Sequence, residues 1–180
     1  MRISGGKAAK IGIFVGLAIA LSLPLIQVPN VELFTLVVFL SGYSLGWFEG
    51  GVVGALSIFL YSFFNPYGFP PFPVLLAQIL GMVIIGVCGG LAFRTEFLYL
   101  KRISPFLGMA LFGLVLTLIY DLLTNLSVAY LVGKLWEVMI PAVPFSLIHI
   151  GSNTIIFIVL TPVFFKLFEM GKTSSFFAKL

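Results

Sequence analysis

Apolar runs long enough to cross a bilayer follow one another through this chain with only short polar breaks, and that pattern decides what it can fold into. A membrane-spanning helix needs about 20 predominantly apolar residues. Of 180 residues, 61% are hydrophobic and 9% charged, with a mean hydropathy of +1.20. A soluble domain of this length cannot hide so much apolar surface. The expected fold class is all-α: a polytopic membrane protein, one domain over residues 1–180, whose few polar residues carry its function. No hydrophilic stretch is long enough for a soluble enzyme domain, a nucleotide-binding cassette or a DNA-binding module. The net charge of +4 therefore reports membrane orientation, and no nucleic-acid partner is expected. Cys88 is the single cysteine; it permits no internal disulfide and reads as a buried structural thiol.

The runs divide into six predicted helices, at about Ala8–Ile26, Glu32–Trp47, Gly51–Phe64, Val74–Phe93, Pro105–Leu131 and Ala142–Phe168. Turn chemistry separates them at Pro29-Asn30, at Glu49-Gly50-Gly51 and in the proline-rich 65–73 stretch. The second and third are short for a full crossing. The basic start followed by an apolar run resembles a signal peptide, but no small-x-small cleavage site leading into a polar region follows, so the run is read as the first membrane helix. With a cytoplasmic N-terminus, Arg2, Lys7, Lys10, Arg94, Lys101, Arg102, Lys166, Lys172 and Lys179 all fall inside, and only Lys134 falls outside. Cytoplasmic loops carry the excess of Lys and Arg, so both termini are expected in the cytoplasm. The 27–31 turn, the 65–73 loop and the 132–141 loop are then external.

Asp121 and Asn125 lie four residues apart on the fifth helix, and His149 and Asn153 four apart on the sixth, so each pair shares one helical face. At 1.5 Å per residue, Asp121 lies about 15 Å below the outer end, His149 about 10 Å and Asn153 about 17 Å. The four are expected to meet in the outer half of the bilayer. Ionisable groups in a membrane mark a functional site by default. One reading is a ligand cavity open to the outside; the other is an interhelical clamp from Asp121 to His149. The two are compatible. Gln78, one turn inside the fourth helix, and Asn30, Glu32 and Asn65, at the outer helix ends, are further candidate ligand contacts. The 65–73 loop, with four prolines around Tyr67, Phe69 and Phe72, reads either as an aromatic lid over an organic ligand or as an interfacial anchor.

Ala8, Gly12, Gly16 and Ala20 repeat at four-residue spacing along the first helix, flattening one face for close approach of another helix. Gly42, Gly46, Gly50 and Gly54 repeat that spacing and are assigned to packing within the bundle. Gly42-Tyr43-Ser44-Leu45-Gly46 matches the hydrolase pattern G-x-S-x-G, but it lies in a membrane helix and not on a strand-turn-helix elbow. A rhomboid-like intramembrane protease is disfavoured because the required G-x-S-G and its histidine are missing. One histidine with one nearby aspartate is a thin ligand set for zinc, so no metal and no cofactor are expected.

Four stretches together give a resemblance. They are Ala8/Gly12/Gly16/Ala20, Pro29-Asn30-Val31-Glu32, Gly42 to Trp47 with Gly50 to Ser57, and Pro144 to His149 with Asn153. The chain resembles the substrate-binding S component of an energy-coupling factor (ECF) vitamin transporter over nearly its whole length. The resemblance implies high-affinity binding of a water-soluble micronutrient, a vitamin or a cobamide among them, in the cytoplasmic membrane of a prokaryote. It implies no enzymatic activity. It also implies docking through the first-helix stripe on a membrane T component driven by two cytoplasmic ABC ATPases. Two of that family's usual Ala positions are Gly here. An intramembrane enzyme and a structural membrane protein held by its polar clamp are the competing readings.

Overall fold

A computed structural model describes residues 5–99 and 104–177, and every regular element in them is helical. Six α-helices follow one another: α1 Gly5–Ser22, α2 Phe34–Leu45, α3 Trp47–Phe64, α4 Phe72–Arg94, α5 Pro105–Val132 and α6 Leu135–Phe177. Five apolar segments are long enough to cross a membrane, and α2 is a shorter apolar helix of 12 residues. At 1.5 Å per residue α2 is about 18 Å long, well short of the roughly 30 Å hydrocarbon core. Its first turn therefore lies deep in the bundle.

Three boundaries differ from those expected. The break between α2 and α3 falls at Gly46, whose φ of 115° is open to glycine alone, and not at Glu49-Gly50-Gly51. This adds a turn to α3, which at 18 residues is long enough to span. The expected 132–141 loop is a two-residue turn. Gly133 closes α5 in the left-handed conformation (φ 71°), its N–H donating to the Ala129 carbonyl, and α6 begins at Leu135. Pro141, which falls in the expected loop, lies within α6 together with Pro144 and Pro162. Membrane helices tolerate proline because neighbours satisfy the freed carbonyls.

Glycine sets how closely α2, α3 and α4 pack. A Cβ at Gly42 or Gly50 would overlap the Gly86 backbone, one at Gly54 the Met82 carbonyl, and one at Gly89 the Phe39 carbonyl. Gly42, Gly50 and Gly54 thus pack inside the bundle, backbone against backbone, while Gly46 of the same repeat makes the α2–α3 break. Its counterpart on α4 (Gly86, Gly89, Gly90) was not singled out from sequence.

The rest of the core is aromatic. Phe39 meets Phe112 at 4.8 Å and Phe157 at 5.6 Å between ring centroids, and Tyr43 meets Phe164 at 4.8 Å. α5 and α6 form an antiparallel hairpin, in which Gly113 receives Thr154 and Phe157.

α1 packs on α2 and α3 through Ile11, Val15 and Ala18. Ala8, Gly12, Gly16 and Ala20 all face away from the bundle, and a Cβ on Gly12 or Gly16 would meet nothing within 4 Å. Lys7 ties α1 to α3 through a 2.6 Å ion pair with the buried Glu49. Cys88 is half-buried in an apolar groove between α4 and α5. Lys7, Lys10, Arg94 and Lys166 lie at one end of the bundle and Lys134 at the other. Arg2, Lys101, Arg102 and Lys179 of the orientation argument lie outside the described residues.

Candidate functional site

The deep start of α2 creates the site. Between Leu25 and Phe34 the chain folds back into the bundle through a turn in which Asn30 takes a left-handed φ of 59°. Asparagine tolerates that region better than most residues. The Asn30 carbonyl accepts a 2.6 Å hydrogen bond from Ser152 Oγ on α6, which pins the turn to that helix.

Two residues later Glu32 reaches the first turn of α2. Its carboxylate accepts from the Thr35 N–H at 3.0 Å and from the Thr35 hydroxyl. A helix N-terminus offers unpaired N–H groups and a positive partial charge, both favourable to a carboxylate. Glu32 Oε1 also accepts from Asn153 Nδ2 at 3.1 Å and lies 3.6 Å from His149 Nε2.

His149 joins this cluster to α5. Its Nδ1–H donates to Asp121 Oδ1 at 2.7 Å, so the imidazole lies between two carboxylates. The α5–α6 register that pairs them also pairs Asn125 with Ser146, Nδ2 donating to Oγ at 3.3 Å. Asp121 and His149 meet as expected, although α6 starts seven residues earlier than expected. The other oxygen of Asp121, Oδ2, is buried and has no hydrogen-bond partner; the same is true of Gln78 Oε1 and Asn153 Oδ1.

Two hollows flank His149. The first, about 320 Å³, lies over the start of α2 and is lined by Asn30, Glu32, Tyr61, Asn65, Tyr67, Tyr120 and His149. The second, about 340 Å³, lies between α4, α5 and α6 and presents Gln78, Asp121, Thr124, Asn125, Ser146 and His149. Asn30, Tyr120 and His149 belong to both.

The sequence candidates are therefore divided and not gathered around one cavity. Asn30, Glu32, Asn65, Tyr67 and His149 line the first hollow, and Gln78, Asp121 and Asn125 the second. Asn153 lines neither; it is fully buried behind Glu32 and holds it. Of the proline-rich loop Asn65 and Tyr67 line the cavity. Phe69 lies against Phe63, ring centroids 5.1 Å apart, outside it.

Tyr61 and Tyr120 were missed. Each had a signal: Tyr61 is one turn before Asn65, and Tyr120 immediately precedes Asp121. Both sit in apolar runs where an aromatic residue reads as lipid-facing.

Ser44, the nominal nucleophile of the G-x-S-x-G match, is exposed near the C-terminus of α2. Glu32 and His149 lie by the other end, about 15 Å away along the helix. No group of three or more His, Cys, Asp or Glu suited to a metal occurs among the described residues.

The family of substrate-specific components of ECF transporters matches residues 7–161 of the chain. No curated protein and no solved structure matches it.

Proposed function

The chain belongs to the substrate-specific components of ECF transporters, and from that premise we propose that its two adjacent hollows bind a water-soluble micronutrient for uptake. The observation that carries this reading is His149, held between Glu32 and Asp121 in the wall shared by both hollows. Ligand sites combine apolar walls with a few placed polar groups, in volumes of about 300–1,000 Å³. Glu32, Asp121 and His149 supply the polar groups; Tyr61, Tyr67 and Tyr120 supply the walls. Asn153 is a positioning residue that orients Glu32. Tyr67, on a stiff loop and largely exposed, is placed to cover the opening.

Orientation follows from the basic residues. Lys7, Lys10, Arg94 and Lys166 face the cytoplasm, and the end bearing both hollows and Lys134 faces outside. The outward stripe Ala8/Gly12/Gly16/Ala20 is the surface for a membrane T component, since small residues admit a second helix at close range. Two cytoplasmic ABC ATPases complete the transporter. The protein itself performs no chemistry on its ligand and resides in the prokaryotic cytoplasmic membrane.

The test is mass spectrometry of small molecules released from the purified protein, repeated on His149→Ala. A compound retained by the parent and lost by a folded variant supports the reading. A compound retained equally by both refutes this placement of the site.

A further inference from the structure

The charge lining the two hollows selects a class of ligand. Glu32 and Asp121 are the carboxylates that face them, His149 is the sole imidazole, and among the described residues no Lys or Arg lines either. Counting both carboxylates as ionised, the site is net negative whether or not the imidazole carries a proton. Lys134, the basic residue at that end of the bundle, is exposed and engaged with Glu137 at 2.7 Å.

The hydrogen-bonding sense agrees with the charge. Asp121 spends Oδ1 on His149, while Oδ2 is buried and unpartnered beside the second hollow. Asp121 is 92% buried, at 8% relative exposure. A carboxylate oxygen can only accept. Gln78 Oε1, from α4 on the wall of the same hollow, is also buried without a partner. Buried polar groups are almost always satisfied, so an orphan beside an empty space points to what fills it. The tyrosine hydroxyls and asparagine amides of the first hollow donate or accept and do not discriminate. The carboxylates do.

We infer that the ligand is a cationic or amino-bearing compound, whose ammonium, amidinium or exocyclic amino group is held in the second hollow by the Asp121 carboxylate and the Gln78 amide oxygen. A ligand whose recognised end is a carboxylate or a phosphate is disfavoured there, because two carboxylates against one imidazole leave the lining net negative and no Lys or Arg among the described residues offsets it. The inference rests on the binding function proposed above and names its substrate class.

The test uses the full-length protein in lipid nanodiscs with two probes of matched shape and opposite charge, benzamidinium and benzoate, followed by saturation-transfer NMR and thermal stabilisation. Benzamidinium is expected to bind and benzoate to be rejected. Asp121→Asn should weaken benzamidinium about 10- to 100-fold, the effect of a lost charge-assisted hydrogen bond. Gln78→Met, which leaves the His149 bond untouched, should weaken it less and provides the reading if Asp121→Asn does not fold. Benzoate binding as tightly as benzamidinium, or benzamidinium binding unchanged in the folded variants, overturns the inference. A native ligand recovered with a carboxylate or phosphate, and released by His149→Ala, overturns it while leaving the transport function standing. Absence of any T-component-dependent uptake would overturn both.

Discussion

Glu32 anchors more of this site than any other residue, so its removal should be costly even without ligand. Glu32→Ala strips an acceptor from the first turn of α2, and losing such a cap costs about 0.5–2 kcal/mol. It also leaves Asn153 Nδ2 without its acceptor and His149 Nε2 without its nearest carboxylate. Hydrogen bonds between side chains in membrane proteins average about 0.6 kcal/mol, and those to charged groups run higher. Together the expected loss is about 2–4 kcal/mol. At about 2–4 °C per kcal/mol for a chain of this size, the melting temperature falls by about 5–15 °C. Glu32→Gln, which keeps an acceptor oxygen, should lose less than half of that.

The assay is thermal unfolding in detergent of Glu32→Ala, His149→Ala and the double variant. Groups in one network show coupling of about 0.5–3 kcal/mol. Here it should exceed 1 kcal/mol, because His149 loses most of its value once Glu32 is gone. Strict additivity of the two single variants refutes the linkage of Glu32 to His149.

Gly86→Leu should prevent folding or lower stability by more than about 3 kcal/mol, since even its Cβ would overlap the Gly50 backbone; an unfolding curve like the parent's would show that α3 and α4 do not touch there. Gly16→Trp projects into open space and should leave folding and ligand binding intact while abolishing co-purification with the T component; unimpaired assembly would move the docking face elsewhere. A cysteine replacing Lys134 should react with an impermeant maleimide on whole cells, and one replacing Arg94 should not; the opposite pattern inverts the proposed orientation.

The helices were legible because hydropathy over 20 residues is a strong signal, and the inward packing of the α2–α3 glycines because glycine in a lipid-borne helix has few other uses; that α4 receives them was not. What escaped the sequence was register. Pro141 marks the end of the expected loop because proline loses a hydrogen bond, yet the bundle absorbs that loss and α6 runs back through it to Leu135. The site was legible in its ingredients and not in its wiring. Asp121 and His149 were paired from helical spacing alone. Glu32 stood only at the edge of that group, because nothing local shows that α2 starts deep enough to bring the chain ahead of it beside α6. Asn153 shares a helical face with His149, but that face is wide enough for one residue to line a hollow while the other stands behind the wall.

Consider how differently the two sides of the site are built. α2, α3 and α4 touch through bare backbone, with no side chains to slide past one another, so that slab is stiff. The α5–α6 hairpin meets it near the site through softer contacts, among them Tyr120 lying on Gly81, where a Cβ would come 2.6 Å from the ring. Glu32 precedes the slab and Asp121, His149 and Asn153 ride on the hairpin, so the polar cluster couples a stiff half of the bundle to a softer one.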